Sequence, residues 1–258
     1  MKKTILITGG FGYIGSNIGA KLSKKYNIVL FDTKIPKWAK NDMKKISGNV
    51  LNIKDCIKAT ENVNYIIHCA AITDKKCELD VKKTLAINSE GTYNMLKAAE
   101  KNKVEKLIYL STFHVYGHQD VNIISEKNIT NPLSIYGISH RLAESYCEMI
   151  ASNSELKTVI LRLSNIYGAP INRFINRWNL VPNAMCKQAF ENQKIIIFGD
   201  GKQERDFLSI NNLLKSIELI IPRNNNYELF NVGEGEKLSI KQLANKIKLS
   251  YEKKYKKN

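Results

Sequence analysis

A doubly wound α/β fold, a parallel sheet covered by helices on both faces and joined by a smaller second lobe, is what this 258-residue sequence predicts. Three observations carry that expectation. Short β-branched runs alternate with longer amphipathic stretches through the first half of the chain, which is the rhythm of βαβ units. Runs such as YIIHCA and LIYLS are apolar at successive positions, as strands buried on both faces must be. A glycine-rich turn, GGFGYIG, follows the first strand where a helix should open.

Strands are expected at TILIT, NIVLF, NYIIHCA, KLIYLS and TVILRLS, and helices over Tyr13 to Lys25, Val81 to Lys101 and Tyr136 to Asn153. The third strand should end near Asn49 and Ile53. After Leu163 the rhythm loosens. SNIYGAPINRF reads as loop, WNLVPNAMCKQAFEN as a helix after Pro182, and KIIIFGDGKQERDF as a strand, a glycine turn and a second extended piece. INNLLKSIELII reads as a helix stopped near Pro222, YELFNVG as a short strand, and the chain from Ser239 as a last helix. The expected division is residues 1–163 for the nucleotide-binding domain and 164–258 for a lobe over the carboxyl edge of the sheet, with some segments returning to the first domain.

Hydrophobic residues make up 43% and charged residues 25%, the profile of an ordinary globular protein. No apolar run approaches the roughly 20 residues of a membrane helix. The start, MKKTILITGG, runs into glycines and not into a cleavage site, so ILIT reads as a buried strand and the expected location is cytoplasmic. Cys56, Cys69, Cys77, Cys147 and Cys186 are an odd set with no CxxC pair, which suggests reduced thiols. The net charge of +16 reads as a lysine-rich solvated surface, able to attract a diphosphate but without the interleaved aromatics of a nucleic-acid site. His114 and His118 stand four apart, yet Gly117 interrupts any helix there, and no metal site is expected.

The glycine turn carries the first chemical signal. Gly9 lets the chain leave the strand sharply, Gly12 allows backbone to approach a pyrophosphate, and Gly15 lets the helix pack closely. The free N–H groups at the helix start then face the diphosphate. Asp32, at the tip of the second strand, can take both ribose hydroxyls and would repel an extra phosphate, which favours NAD over NADP. A solvated acid at a strand end is the other reading of Asp32. Asn49 is a candidate for the adenine.

TGGFGYIGS, HCAA (His68 to Ala71), NSEGTYNMLKAAE, STFHVYG, YGISHRLAE, RLSNIYG and GDGKQERDF occur in that order. Together they resemble the extended short-chain dehydrogenase/reductase family, specifically its NAD-dependent nucleotide-sugar epimerases and dehydratases. The resemblance implies a Rossmann-type domain with a small substrate-binding lobe, here shortened at its C-terminal end. It also implies cofactor contacts from Tyr13, Ile14, Ala70, Ala71 and Asn88, and hydride chemistry at a sugar carbon. Thr112 would hydrogen-bond the reacting hydroxyl and Tyr136 would take its proton. The family's lysine, four residues after that tyrosine, holds the cofactor ribose and acidifies the phenol; here the position is His140.

Tyr136 and His140 share a helix face and can both point into one cleft. Bringing a phenol from a pKa near 10 toward 7 requires roughly 4 kcal/mol of preferential phenolate stabilisation. A neutral histidine does not supply that, although a nearby carboxylate or diphosphate could charge it. The expectation is a catalyst slowed, shifted in pH, or inclined to the reductive direction, where the tyrosine donates its proton. Phe113 and His114 replace the Asp-Glu pair of the dehydratase branch, which argues against 4,6-dehydration. Phe113 and His114, with Asn165, Asn179, Leu180 and Arg205, are the implied substrate contacts, and Arg205 suits a phosphate. The implied activity is C4 epimerisation or 4-keto reduction of a nucleotide-diphosphate sugar for surface polysaccharide. The alternative is an impaired NAD-binding homologue acting as a partner protein. A homodimer through the helices containing Leu85 to Ala99 and Arg141 to Ile150 is also implied, though their apolar positions could serve only the sheet.

Overall fold

The structure is a computed structural model that describes residues 2–39, 42–73, 76–121 and 123–255; the last three residues of the lysine-rich tail lie outside them. The elements run β1 (Thr4–Thr8), α1 (Tyr13–Leu22), β2 (Asn27–Asp32), β3 (Lys44–Ser47), α2 (Ile53–Ala59), β4 (Tyr65–His68), α3 (Lys76–Leu79), α4 (Val81–Leu85), α5 (Gly91–Lys101) and β5 (Lys106–Thr112). They continue with α6 (Ile135–Asn153), β6 (Lys157–Leu163), β7 (Asn165–Tyr167), α7 (Val181–Asn192), β8 (Glu204–Ser209), α8 (Ile210–Ile220), β9 (Tyr227–Val232), β10 (Lys237–Ser239) and α9 (Ile240–Tyr255).

Seven strands form one parallel sheet in the order β3-β2-β1-β4-β5-β6-β9. Strand order reverses between β1 and β4, and ligands of open α/β sheets bind at the carboxyl ends of such strands. The register sets Thr8 level with Phe31 on one side and His68 on the other. Alternate residues of each strand serve opposite faces. Ile5 and Ile7 join Ile18 and Leu22 of α1 and Leu213 and Ile217 of α8, while Leu6 joins Met95 and Leu96 of α5 and Ala143 and Cys147 of α6. Each fully buried Ile or Leu contributes about 1.5–3 kcal/mol, which is why these strands carry no polar face.

Beyond β6, a three-stranded sheet in the order β10-β8-β7 is packed by α7 and α9 around Met185, Phe207, Leu243 and Ala244. Ser239 opens α9 with a reciprocal cap: its hydroxyl accepts from Gln242 N at 3.1 Å, and its own N–H donates to Gln242 Oε1 at 2.8 Å. α8 returns to lie on α1, and β9 returns to pair with β6.

Three local expectations are corrected. KIIIFG is not a strand: Ile195 and Ile197 pack on the small-lobe cluster and Phe198 is exposed, but no neighbouring strand among the described residues completes a ladder. Ile53 opens α2 instead of ending β3, because the Asn52 side chain caps the helix by accepting from Lys54 N. The helix expected over 81–101 contains a π-helical turn, Ala86–Glu90, between α4 and α5. That wider turn brings Asn88 and Ser89 inward together, where both bond Ser139 of α6.

A buried ion pair ties the sheet to α6. Glu144 accepts from Arg162 Nε at 3.0 Å and Nη2 at 2.8 Å, and from Ser111 Oγ at 2.6 Å. Arg162 Nη1 also donates to Tyr116 Oη, which donates to Asn231 Oδ1 on β9. Removing one partner of such a pair strands a buried charge, so Glu144→Gln should cost about 3–5 kcal/mol in urea unfolding at neutral pH. A loss under about 1 kcal/mol would show that the pair does not hold α6 to the sheet.

Candidate active site

At the nucleotide end, steric need matches the glycines. Gly9 has φ +61°, and a Cβ there would stand 3.0 Å from Ala70 N and from Cys69 O. A Cβ on Gly15 would stand 2.4 Å from the Gly9 carbonyl oxygen, so α1 sits against the strand end only because residue 15 has none. Gly12 donates its N–H to that same oxygen at 2.9 Å, and a Cβ on it would stand 3.1 Å from the oxygen. It precedes α1 with no side-chain cap and no acid in the first turn, which suits an anion at the helix start. Tyr13 donates through its hydroxyl to Gly168 O at 2.9 Å, and Ile14 packs on the core. Asp32 is anchored beside the loop, accepting from Phe11 N at 3.2 Å and Thr33 N at 2.8 Å, with lone pairs to spare for hydroxyls. These residues fit the adenosine and diphosphate of NAD. Asn49 is exposed, and its side-chain oxygen accepts from Leu51 N at 3.0 Å, closing the turn before α2.

The loop after β4 is held from beneath. Thr8 Oγ1 accepts from the backbone N–H of Cys69 and Ala70 and bonds His68 Nδ1 at 2.7 Å. His68 Nε2 in turn bonds Thr92 Oγ1 at 3.1 Å. Asn88, 1% exposed, accepts from Ile72 N at 2.7 Å and donates to Ile72 O and Ser139 Oγ. Its amide is therefore engaged in shaping the loop on which the half-buried Ala70 and Ala71 stand.

The reaction centre assembles where β5 meets the start of α6. Thr112 ends β5, and its Oγ1 accepts from His114 N at 3.3 Å. Gly137 lets the first turn of α6 approach, since a Cβ there would lie 2.7 Å from His114 O. That brings the half-buried Tyr136 ring edge-on to His114, 5.6 Å between centroids, and to His140 at 4.5 Å. His140, however, is only 2% exposed, and its Nδ1 bonds Tyr109 Oη at 2.6 Å. Burial, then repulsion from His68 and His114, lowers its pKa to about 3. The expectation that His140 faces the open cleft alongside Tyr136, or is charged by a neighbouring acid, is corrected: it is a buried neutral imidazole. His68 is likewise lowered to about 4 by burial.

On the substrate side, Phe113 stacks beside His114 with centroids 4.4 Å apart. The His114 pKa is lowered by the desolvating walls around it and then by the Arg205 guanidinium, which brings β8 into electrostatic reach of this turn. Arg205 is exposed and bonds Glu204 O; Asp206 is turned away, accepting from Ser164 Oγ, Glu234 N and Gly235 N, so the two do not pair. Asn165, on β7, donates to Asp206 O at 2.9 Å. Asn179 lies in the preceding loop and Leu180 is the N-cap of α7. The sequence reading did not single out Tyr109, Arg177 or Asn183. Arg177 reaches Thr73 Oγ1 at 3.0 Å, and Asn183 brackets Gly168 by bonding both its N–H and its carbonyl. Only Tyr109 left a signal, a phenol inside an apolar strand that must find a polar partner. Four of the cysteines are far from activated: burial pushes Cys56 up to about 12 and raises Cys69, Cys147 and Cys186.

Gly15→Ala should weaken NAD binding roughly tenfold or more in calorimetric titration, because α1 must move off the loop; an unchanged affinity would refute the close-approach argument. The buried histidines set an acid limit. Their folded pKa values of about 4 and about 3 lie below the unfolded 6.5, so the unfolded chain binds more protons as pH falls below 6.5. Stability is thus complete above that value and declines below it, by about 2 kcal/mol per histidine between pH 7.5 and 5. Urea unfolding at the two pH values, with His140→Phe removing its share, measures this.

Residues 5–233 match the family described as NAD dependent epimerase/dehydratase. A putative UDP-glucose 4-epimerase of Methanocaldococcus jannaschii is 30% identical over 267 residues, covering 95% of this chain and 81% of the relative. The dTDP-4-dehydro-6-deoxyglucose reductase of Escherichia coli is 26% identical, covering 98% and 83%. Among solved structures, UDP-glucuronic acid 4-epimerase from Bacillus cereus, in complex with UDP-glucuronic acid and NAD, is similar with a TM-score of 0.83 and 29% identity, over 99% of this chain and 84% of that one. The glycine cradle, the reversed strand order and this agreement along the chain have one explanation: the protein belongs to the NAD-dependent epimerase/dehydratase family.

Proposed function

We propose that this chain acts at C4 of a nucleotide-diphosphate sugar, by epimerisation or by reduction of a 4-keto group, in the supply of precursors for surface polysaccharide. The observation that carries the reading is the packing of the first turn of α6, which bears Tyr136, against the turn that follows Thr112, beside a loop shaped for a dinucleotide. Bound NAD supplies the chemistry, a hydride taken from or given to the sugar carbon. Tyr136 exchanges the matching proton with the sugar oxygen. Thr112 Oγ1 already accepts from His114 N, so its own hydrogen is available to that same oxygen. Phe113 and His114 bring no carboxylate to the position after Thr112, which speaks against elimination of water. Arg205, Asn165, Asn179 and Leu180 belong to the substrate side in this reading.

One observation favours reduction. His140 is neutral and buried and brings no positive charge to the phenolate, a lack that handicaps reduction, where Tyr136 starts protonated, less than oxidation. The epimerase and reductase relatives cover this chain about equally, which supports keeping both reactions in the test. A homodimer completes the reading. Met95, Leu96, Ala98, Ala99, Ala143, Cys147 and Ile150 serve the core, so the face between copies would rest on the outward Ile138, Leu142 and Met149.

The deciding experiment incubates the protein with NAD or NADH and a panel of UDP-, dTDP-, GDP- and CDP-linked sugars and their 4-keto forms, read by mass spectrometry and proton NMR. A reductase consumes NADH in proportion to product; an epimerase does not. Tyr136→Phe should abolish turnover, and His140→Lys should match or exceed the wild type near neutral pH. Tight NAD binding with no turnover on any sugar would overturn the reading in favour of a non-catalytic partner protein.

A further inference from the structure

The loop that follows β7 begins and ends on one side chain. Asn183, 6% exposed on α7, accepts from Gly168 N at 3.1 Å and donates to Gly168 O at 3.1 Å and to Arg177 O at 3.3 Å. Residues 168–177 are thus closed into a compact surface loop whose ends meet at a single carboxamide. Inside it, the Asn172 side chain accepts from Phe174 N and the Asn172 carbonyl from Ile175 N, each at 3.0 Å, and Ile175 is buried. Gly168 has φ +133°, and a Cβ there would stand 2.7 Å from Ile210 Cγ2. Two contacts then carry the loop across the sheet. Tyr13, the first residue of α1, donates to Gly168 O at 2.9 Å, and Arg177 Nη2 donates to Thr73 Oγ1 at 3.0 Å, beyond β4. Burial pushes the Tyr13 phenol up to about 12, against the Asn183 amide and the Arg177 guanidinium, so it remains a donor with both groups beside it. Strand order reverses between β1 and β4, and a dinucleotide seated on the N-terminus of α1 crosses the sheet there.

We propose that Asn183 is a positioning residue that makes residues 168–177 a strap across the cofactor cleft, one that must lift from Tyr13 and Thr73 before NAD enters or leaves. This rests on the dinucleotide lying at the glycine turn and not on the sugar chemistry. Each bond named in the strap joins one protein group to another. Loosening them therefore lowers the barrier to entry and exit alike and leaves the affinity nearly unchanged. A side chain that touched the cofactor would instead alter the exit rate and the affinity together. An opening step of this kind slows a reductase, which must renew its NADH at every turnover, and spares an epimerase, which keeps its NAD.

The test is stopped-flow fluorescence on the full chain with NADH alone, following association on mixing and dissociation on chasing with excess NAD. Asn183→Leu, close in volume but unable to make the three bonds, should raise both rates about tenfold or more and move the equilibrium Kd by less than about threefold. Tyr13→Phe removes one bond to the same strap and should raise both rates about threefold. It carries the test if Asn183→Leu does not fold. Unchanged rates in a variant that urea unfolding shows to be destabilised would make Asn183 a merely structural side chain and overturn the proposal. Faster exit with unchanged entry would overturn it too, because the loop would then grip NADH instead of gating it. No sugar is present in this measurement, so a silent sugar panel would sink the proposed reaction and leave the strap to its own result.

Discussion

The hydroxyl of Thr8 is the point on which the site hangs. It sits at the carboxyl end of β1, where strand order reverses, and bonds three groups at the end of the neighbouring strand and in the loop that follows it: His68 Nδ1, Cys69 N and Ala70 N. Those bonds hold the loop after β4 against the glycine turn after β1. The two loops approach so closely that a single Cβ on Gly9 would meet Ala70 N at 3.0 Å. A dinucleotide crossing the sheet at this point needs both loops rigid and both close, and one side chain supplies the link.

From Thr8 the ordering spreads through polar contacts that the apolar core keeps dry. His68 hands on to Thr92, Thr92 to Asn88, and Asn88 returns to the loop through Ile72. The π-helical turn makes this possible by bringing Asn88 and Ser89 to the same inward side. Such a turn has weaker backbone bonding than a regular helix, and it recurs where a fold must aim a particular residue. Buried networks of this kind are stabilising when every member is satisfied and costly when one is not. Within the stretch from Thr8 to Asn88 all are satisfied. At its far end His140 Nε2 is not, and that end lies beside Tyr136.

The second lobe meets this frame through few but directed contacts. Tyr13 bonds Gly168, Asn183 brackets the same glycine, and Arg177 reaches across to Thr73. A loop from the small lobe therefore lies over the start of α1 and the segment that follows β4. Arg205 approaches from β8 closely enough to depress the pKa of His114.

The sequence by itself determined the sheet, its glycine turn and the order of the motifs. Periodicity and turn chemistry are local, and β1, β2, β4, β5 and β6 lie where their apolar runs stand. It also determined that Tyr136 and His140 share a helix face, since four residues make about one turn. It gave no means to tell which way that face is wetted. Only the tertiary structure decided that His140 sinks beneath Tyr136 onto Tyr109, because the partner comes from a strand 31 residues earlier in the chain. The same reason explains KIIIFG, a strand-like string left without a ladder, and Arg177, whose Thr73 partner is 104 residues away. Hydrophobic pattern is written along the chain, but dielectric and proton position depend on what folds against each residue from elsewhere.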